Sequence, residues 1–303
     1  MRRNLSEMNP PQNTPMSKSS LIARLAQHER LNFLLTNRIP RRYATLFMGW
    51  FSRIENPVVR WISFRLWQTF GGDLRLDEAE RTDFTSIHDC FTRRLRSGAR
   101  VVDPDPRIVV SPCDAIIGSN GAIRGTEVFR AKGFPYTLGD LLGDERLVAR
   151  YRGGVYVTLR LRSNMYHRFH APCDARLHEV VYVSGDTWNV NPIALERVAR
   201  LFCKNERAIV ELDLGRSASL LLVPVAAILV ASIRLHCLPE PLRLTFRGPN
   251  RLPCDAVYAK GDEMGWFEHG STILVFANEH FALCSSVCEG ESIAMGQALL
   301  REI

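Results

Sequence analysis

Apolar positions are spaced for helices in the first quarter of this chain and for strands over most of its remaining length. Leu21, Leu25, Leu31 and Leu35 recur at loosely helical intervals behind Ser19 or Ser20, either of which can cap a helix. Ile39-Pro40 and Asn56-Pro57 mark breaks before further helices, because the residue ahead of a proline is pushed out of the helical region. Gly71-Gly72 closes this module, and a helix is expected around Ser86 to Leu95. Pro104 and Pro106 then form a turn, and from about residue 107 the period falls to two. Val155, Val157, Leu159 and Leu161 alternate with Tyr156, Thr158, Arg160 and Arg162, while Ala208, Val210, Leu212 and Leu214 alternate with polar partners. Both runs read as strands, as does Thr272 to Phe276. The pattern predicts an α+β protein with N-terminal helices followed by a β-rich domain.

One stretch could be mistaken for a membrane span. Ser217 to Ile233 holds seventeen uncharged residues between Arg216 and Arg234, marginal for a spanning helix. Pro224 and the β-branched Val223, Val225, Ile228, Val230 and Ile233 argue instead for two buried strands with a break between them. In the first quarter, Arg53, Glu55, Arg60 and Arg65 cut every apolar run short of a bilayer's thickness.

Charge sharpens the division. The 303 residues carry a net charge of +7, with 46% hydrophobic and 23% charged residues, enough apolar content for a sizeable core. Residues 1–70 hold 11 basic and 3 acidic side chains, or +8, and the remainder holds 28 and 29, or −1. The basic excess is interleaved with Phe47, Trp50, Phe51, Trp61, Phe64, Trp67 and Phe70, a mixture suited to the headgroup boundary of an anionic bilayer. The helices are therefore read as membrane-associating, against the plainer alternative that the aromatics pack on the adjoining domain. No nucleic-acid recognition module accompanies the charge, so no nucleic-acid partner is expected. The expected organisation is a disordered tail at 1–18, a basic, aromatic-rich helical region at 19–75, and a catalytic domain at 76–303. The first eighteen residues lack the apolar run of a secretory signal, and eight cysteines without C-x-x-C pairs suit a reducing, cytoplasmic compartment.

Two short segments carry the chemistry: Tyr166-His167-Arg168-Phe169-His170-Ala171-Pro172-Cys173, and Phe267-Glu268-His269-Gly270-Ser271-Thr272. They offer an imidazole base and a serine preceded by glycine. A serine needs a positioned base to become a nucleophile, and a preceding glycine leaves its carbonyl open to that serine's own hydroxyl. Such an N-to-O acyl shift, followed by elimination, would release the upstream chain and leave a dehydroalanine that hydrolyses, with loss of ammonia, to a pyruvoyl group at the new N-terminus. Gly-Ser-Thr alone more often means a turn, and two histidines with Cys173 nearby can be metal ligands. On an extended segment, however, residues 167 and 170 point to opposite faces, which disfavours a shared ion.

In these residues the chain resembles the phosphatidylserine decarboxylases. The resemblance runs in order through Phe84 to Arg100, Ser111-Pro112-Cys113-Asp114, Lys132-Gly133 with Tyr136-Thr137-Leu138, His167 to Cys173, Asn205-Glu206-Arg207, and Lys260-Gly261 through Gly265, Phe267 and Gly270-Ser271-Thr272. Six blocks in one order form a specific signal where any one alone would be weak. The resemblance implies self-cleavage between Gly270 and Ser271 into a large chain (1–270) and a small chain (271–303). Asp114, His170 and Ser271 would be the self-processing residues, with Asp114 holding the His170 imidazole in the tautomer that accepts the serine proton. The pyruvoyl group derived from Ser271 would be the cofactor, with no metal expected. It would form a Schiff base with phosphatidylserine and release carbon dioxide and phosphatidylethanolamine. His167 is the candidate general acid and His170 its competitor, while a structural role bonding a backbone carbonyl is the plain reading of His167.

The implied partners are phosphatidylserine, an anionic membrane surface and the two chains of one precursor, with a homodimer as a further option. The implied location is peripheral, on the cytoplasmic face of the cell membrane. Departures from the family pattern are His269, where leucine is usual, and Ala115, Ala175, Ala226 and Ala231, where glycine is common. They keep open a non-processing, lipid-binding homologue without decarboxylase activity. A metal-dependent hydrolase using His167, His170 and Cys173 is the third reading.

Overall fold

The computed structural model describes residues 39–131, 134–215, 217–229, 232–268 and 272–303. The expected tail at 1–18 and the helix behind Ser19 or Ser20 lie outside the described residues, as do Lys132, Gly133, Ala231, His269, Gly270 and Ser271.

Both proline breaks fall where the sequence puts them. Helix α1 spans Arg41–Phe51 and α2 spans Pro57–Gly71. The Asn56 side chain caps α2, its Oδ1 accepting from the N–H groups of Val58 and Val59 at 3.0 and 3.2 Å. Gly72, at φ +82°, ends it. Helix α1 is amphipathic in the inverse sense to a core helix. Its inward face is small or polar, with Thr45, Gly49 and Ser52 buried, while Tyr43, Leu46, Phe47 and Trp50 are exposed. It docks through polar contacts. Arg41 pairs with Asp186 at 2.5 Å and lies over the Trp188 ring at 3.7 Å, and Thr45 Oγ1 accepts from the N–H of Leu229 at 3.1 Å. On α2, Val58, Trp61, Ile62, Leu66 and Phe70 are likewise exposed. Among the described residues no helix is long and apolar enough to cross a membrane.

The next helix, α3, is only Ile87–Phe91, shorter than the expected Ser86 to Leu95. Ser86 caps it through Asp89 N–H. It stops because Arg93 turns inward and donates to the carbonyls of Cys90, Leu74 and Asn164, an anchorage incompatible with a continuing helical turn.

From residue 108 the protein is antiparallel β, as the alternation predicts. The strands are β1 (Ile108–Val110), β2 (Ala115–Ala122), β3 (Glu127–Ala131), β4 (Phe134–Thr137), β5 (Val155–Arg160), β6 (Arg168–His170), β7 (Ala175–Val183) and β8 (Arg207–Asp213). They continue with β9 (Ser219–Val225), β10 (Ile233–Leu235), β11 (Arg251–Tyr258), β12 (Glu263–Phe267), β13 (Thr272–Ala277), β14 (Phe281–Leu283), β15 (Ser292–Ile293) and β16 (Ala298–Glu302). Eight of them make one sheet in the order β11-β7-β8-β9-β13-β5-β2-β15. Two three-stranded sheets, β10-β12-β6 and β1-β16-β14, and the β3-β4 hairpin pack around it. Short helices Leu138–Leu142, Glu145–Tyr151, Pro192–Arg197 and Leu201–Lys204 fill the connections. Strands β9 and β13, buried at every position, form the centre of the core.

One expectation is corrected in detail. Strand β9 runs through Pro224 to Val225, and the break before β10 comes afterwards, at Ala226 and beyond. Proline is accommodated because the β8–β9 ladder pairs Val210 with Leu222 and Arg207 with Val225, skipping the position that lacks an N–H. The alanines noted as departures in the sequence are also accommodated. Ala115, Ala175 and Ala226 are buried, and none has a positive φ.

The Asn205-Glu206-Arg207 block is a structural knot. The Asn205 side chain accepts from Trp188 N–H and donates to the carbonyls of Trp188 and Ala226, while Arg207 donates to those of Leu141, Cys203 and Asn205. Between them Glu206 is almost fully buried, and burial pushes its carboxyl up from 4.5 to about 7, only partly opposed by Tyr182. The folded state therefore holds a proton that the unfolded chain gives up. Stability is greatest below pH 4.5 on this account and declines as pH rises through about 7. Glu206→Gln is expected to remove that decline, worth up to roughly 3 kcal/mol, in denaturation curves between pH 5 and 8. Parallel pH dependences of the two proteins would refute the assignment.

Candidate functional site

The register of the large sheet brings the sequence-predicted residues to one end of it. Ile116 on β2 pairs with Arg160 on β5, Arg160 with Thr272 on β13, and Thr272 with Val225 on β9. Asp114 lies two residues beyond Ile116 at the same end. Ser271 and Gly270 are outside the described residues, bracketed by Glu268, just past β12, and by Thr272, the first residue of β13. The backbone ties the remaining segments to this end. His170 N–H donates to Pro112 C=O at 2.8 Å, and Phe267 N–H donates to His167 C=O at 3.0 Å. The two motif segments, a hundred residues apart in sequence, are thus adjacent through β6 and β12.

His170 is held by both ring nitrogens. Its Nδ1 lies 2.8 Å from the Gly261 carbonyl, which can only accept, so Nδ1 carries the proton. Its Nε2 is left with a lone pair, which accepts from the Tyr166 hydroxyl at 2.9 Å. Gly261 can aim its carbonyl this way because it sits at φ +92°, where a side chain would be strained. Burial lowers the His170 pKa, with Arg168 acting in the same direction, against smaller opposing effects of the Gly261 bond, Glu263 and Asp114. The ring is neutral at neutral pH, as a base must be. Burial pushes the Tyr166 phenol well above its usual range, so it remains a donor.

Asp114 does not touch His170. Its carboxylate accepts from Arg100 Nε and Nη2 at 2.8 and 2.5 Å and from Met295 N–H at 2.9 Å. Arg100 also reaches Glu78 at 2.7 Å. The expected direct bond from Asp114 to the imidazole is replaced by the Gly261 carbonyl, which sets the tautomer instead. Asp114, Arg100 and Tyr166 share a polar cavity of about 340 Å³, so Tyr166 stands between the carboxylate's cavity and His170. His167 is fully buried with its ring against Phe91, centroids 3.8 Å apart. Among the described residues no group of three or more histidine, cysteine, aspartate or glutamate side chains could hold a metal ion.

Phe91 lines a second cavity of about 600 Å³, roofed by α1 and α2 through Met48, Phe51, Leu66 and Trp67. Its opposite wall is Arg160 to Ser163 and Ala227 to Leu229, the chain running on from the two strands that flank Thr272. The roof is tied to the segment before Ser271. Arg53, in the turn between α1 and α2, donates to both oxygens of Glu268 at 2.9 and 2.8 Å, with His88 Nε2 at 3.8 Å. Sequence reasoning did not single out Tyr166, Gly261, Arg100 or the Arg53–Glu268 pair. Tyr166 opens the first motif segment, and Arg100 and Gly261 stand inside recognised blocks, but the contacts that matter span up to 91 residues.

Comparisons with known proteins agree on one family. A family model described as phosphatidylserine decarboxylase matches residues 87–301. The phosphatidylserine decarboxylase proenzyme of Aliivibrio fischeri (strain ATCC 700601 / ES114) is 33% identical over 272 residues, covering 86% of this chain and 91% of that protein. The proenzyme of the same name from Brevibacillus brevis is 30% identical over 269 residues (88% and 95%). That from Sodalis glossinidius is 33% identical over 291 residues (91% and 97%).

The hydrogen bonds at His170 make a signed prediction. In an imidazole NMR titration, His170 is expected to have its midpoint below 6.5, and Tyr166→Phe is expected to raise it, because the hydroxyl donates to the neutral ring's lone pair. An unmoved midpoint in the variant would show that the phenol is not bonded to Nε2.

Proposed function

Since this chain belongs to the phosphatidylserine decarboxylase family and is a decarboxylase, we propose that it cuts itself between Gly270 and Ser271. The pyruvoyl group so formed would serve to convert phosphatidylserine to phosphatidylethanolamine and carbon dioxide. The observation that carries this reading is the row Ile116–Arg160–Thr272–Val225, which anchors the residue after Ser271 between two central strands at the sheet end where Asp114 lies.

In the proposed processing step, His170 Nε2 takes the Ser271 hydroxyl proton while Nδ1–H stays on Gly261, and the Tyr166 hydroxyl gives up its place on Nε2. The serine oxygen attacks the Gly270 carbonyl carbon and the amide bond is exchanged for an ester. Loss of the Cα proton then expels Gly270 as a carboxylate and leaves a dehydroalanine, whose imine tautomer is hydrolysed by water, releasing ammonia and leaving the pyruvoyl group. Asp114, engaged by Arg100 and Met295, bears on this base only as a small electrostatic effect that raises its pKa. A pyruvoyl carbonyl at the head of β13 would bind the substrate amine and accept the electrons freed with carbon dioxide. The cavity beside Thr272's neighbours has the room and the apolar lining for a lipid. His167, behind Phe91 on that cavity's wall, is the proposed proton donor to the carbon that loses its carboxyl, with His170 as competitor.

The exposed stripes of α1 and α2 are proposed to rest in the headgroup layer of the cytoplasmic leaflet, with Trp50, Trp61 and Phe70 inserted and the basic residues against anionic lipid. One observation favours a second reading, an uncut lipid-binding homologue: Asp114 is engaged by Arg100 and Met295 rather than by His170.

Intact mass under denaturing conditions separates the two. Cleavage gives a blocked fragment of roughly 3.7 kDa, the share of 33 residues in 303, absent in Ser271→Ala. A single uncut mass for the unmodified protein supports the second reading. Self-cleavage is expected to hold its rate from neutral pH down to 6.5 and to fall only below it, since burial keeps His170 deprotonated. Trp50→Glu with Trp61→Glu is expected to weaken binding to phosphatidylserine-containing vesicles by about tenfold or more, read by sedimentation, with cleavage unchanged.

A further inference from the structure

We infer that Arg160 and Arg162 form a clamp for the phosphodiester of the lipid substrate, setting its affinity and leaving the chemical step alone. This rests on the decarboxylase reading above and names the part of the substrate that the site holds.

Most guanidinium groups of this protein that approach its interior are already committed. Arg41, Arg53, Arg100 and Arg168 are paired with carboxylates, and Arg207 is spread over main-chain carbonyls. Arg160 and Arg162 differ. Neither has a carboxylate or a carbonyl partner among the described residues. Arg160 is the last residue of β5 and Arg162 lies two residues beyond it, and both line the same cavity. Arg160 is partly buried beside a like charge, and burial together with Arg162 lowers its pKa. A partly desolvated Arg160 beside the exposed like charge of Arg162, without a counter-charge, is costly unless an anion arrives from outside.

Their position identifies the anion. Both line the apolar cavity under α1 and α2, and Arg162 also lines the polar cavity of Asp114. Arg160 is the register partner of Thr272, so its charge lies one ladder step from the reactive position. A cavity with an apolar roof and a cationic wall fits an anionic amphiphile. A free phosphate would leave the roof unused.

Phosphatidylserine offers two anions, and the chemistry selects between them. Its carboxylate departs as carbon dioxide, so an arginine bound to it would stabilise the ground state and lose that contact on the way to the transition state. The phosphodiester keeps its charge throughout. Binding it contributes equally to ground and transition states, which lowers KM without altering kcat.

The test uses the matured enzyme in neutral-detergent mixed micelles, with Arg160→Gln, Arg162→Gln, the double variant and the corresponding lysine variants. Self-cleavage is checked first by intact mass. In the double glutamine variant cleavage is complete, the interfacial KM for phosphatidylserine rises by about tenfold or more, and kcat stays within about twofold, with partial recovery by lysine. Short-chain phosphatidylethanolamine, which keeps the phosphate and lacks the carboxylate, is titrated against Trp67 fluorescence. Its affinity falls by a similar factor. Unchanged product binding with a raised KM would mean that the arginines hold the carboxylate, and the inference would be wrong. A fall in kcat at constant KM would also overturn it. A wild-type protein that is uncut or inert on phosphatidylserine would instead remove the underlying reading, and the inference with it. Should the double variant not fold, the exposed Arg162→Gln and the lysine variants carry the same comparison.

Discussion

The rest of this structure depends on a strand that is hydrogen-bonded along both edges. Thr272–Ala277 is laddered to β5 on one side and β9 on the other, and all six of its residues are buried. A strand so placed cannot slip by one residue without turning its whole apolar face the wrong way and breaking two ladders. Its first residue is therefore among the best-determined positions in the protein. Thr272 itself thus combines a fixed register with a place where the sheet stops.

Around that fixed point the two parts of the chain meet by contacts of opposite character to those of a typical domain. The sheets are held by apolar burial. The helices are attached by Arg41 to Asp186, Thr45 to Leu229 and Arg53 to Glu268, while their apolar side chains face outward. In water this leaves an unusually large apolar surface, which marks an interaction face. Polar attachments of this kind lose little strength when the surroundings become less polar, since charges attract more strongly at low dielectric. The cavity beneath the helices keeps its roof when that outward face is covered.

Much of this was legible in the sequence because it rested on local rules. The Asn56-Pro57 start of α2, the alternation that became β5 and β8, and the strand at Thr272 each follow from residues within a few positions of one another. What escaped depended on distant partners. Nothing near Asp114 indicates that Arg100 and Met295 claim its oxygens, and nothing near His170 indicates that a carbonyl at residue 261 fixes its tautomer. Arg93 truncated α3 by finding carbonyls up to 71 residues away, and Pro224 sat within a strand because the β8 ladder skipped it. The inverted face of α1 was half legible. Its aromatic and basic content pointed to a surface role, but only the fold shows which residues it turns toward the domain.

The C-terminal strands carry a consequence for the life history of the molecule. After β13 the chain contributes β15 to the edge of the large sheet beside β2, and β16 between β1 and β14. While the chain is continuous, these pairings form within one molecule. Were it severed ahead of Thr272, as proposed, they would remain in place, yet the same structure could be regained after unfolding only by two separate chains finding each other, a concentration-dependent encounter. On that proposal scission would follow assembly, and the cut protein would be one that its own parts are poorly equipped to rebuild. Its durability would then be governed by how slowly it opens and not by an equilibrium it can return to.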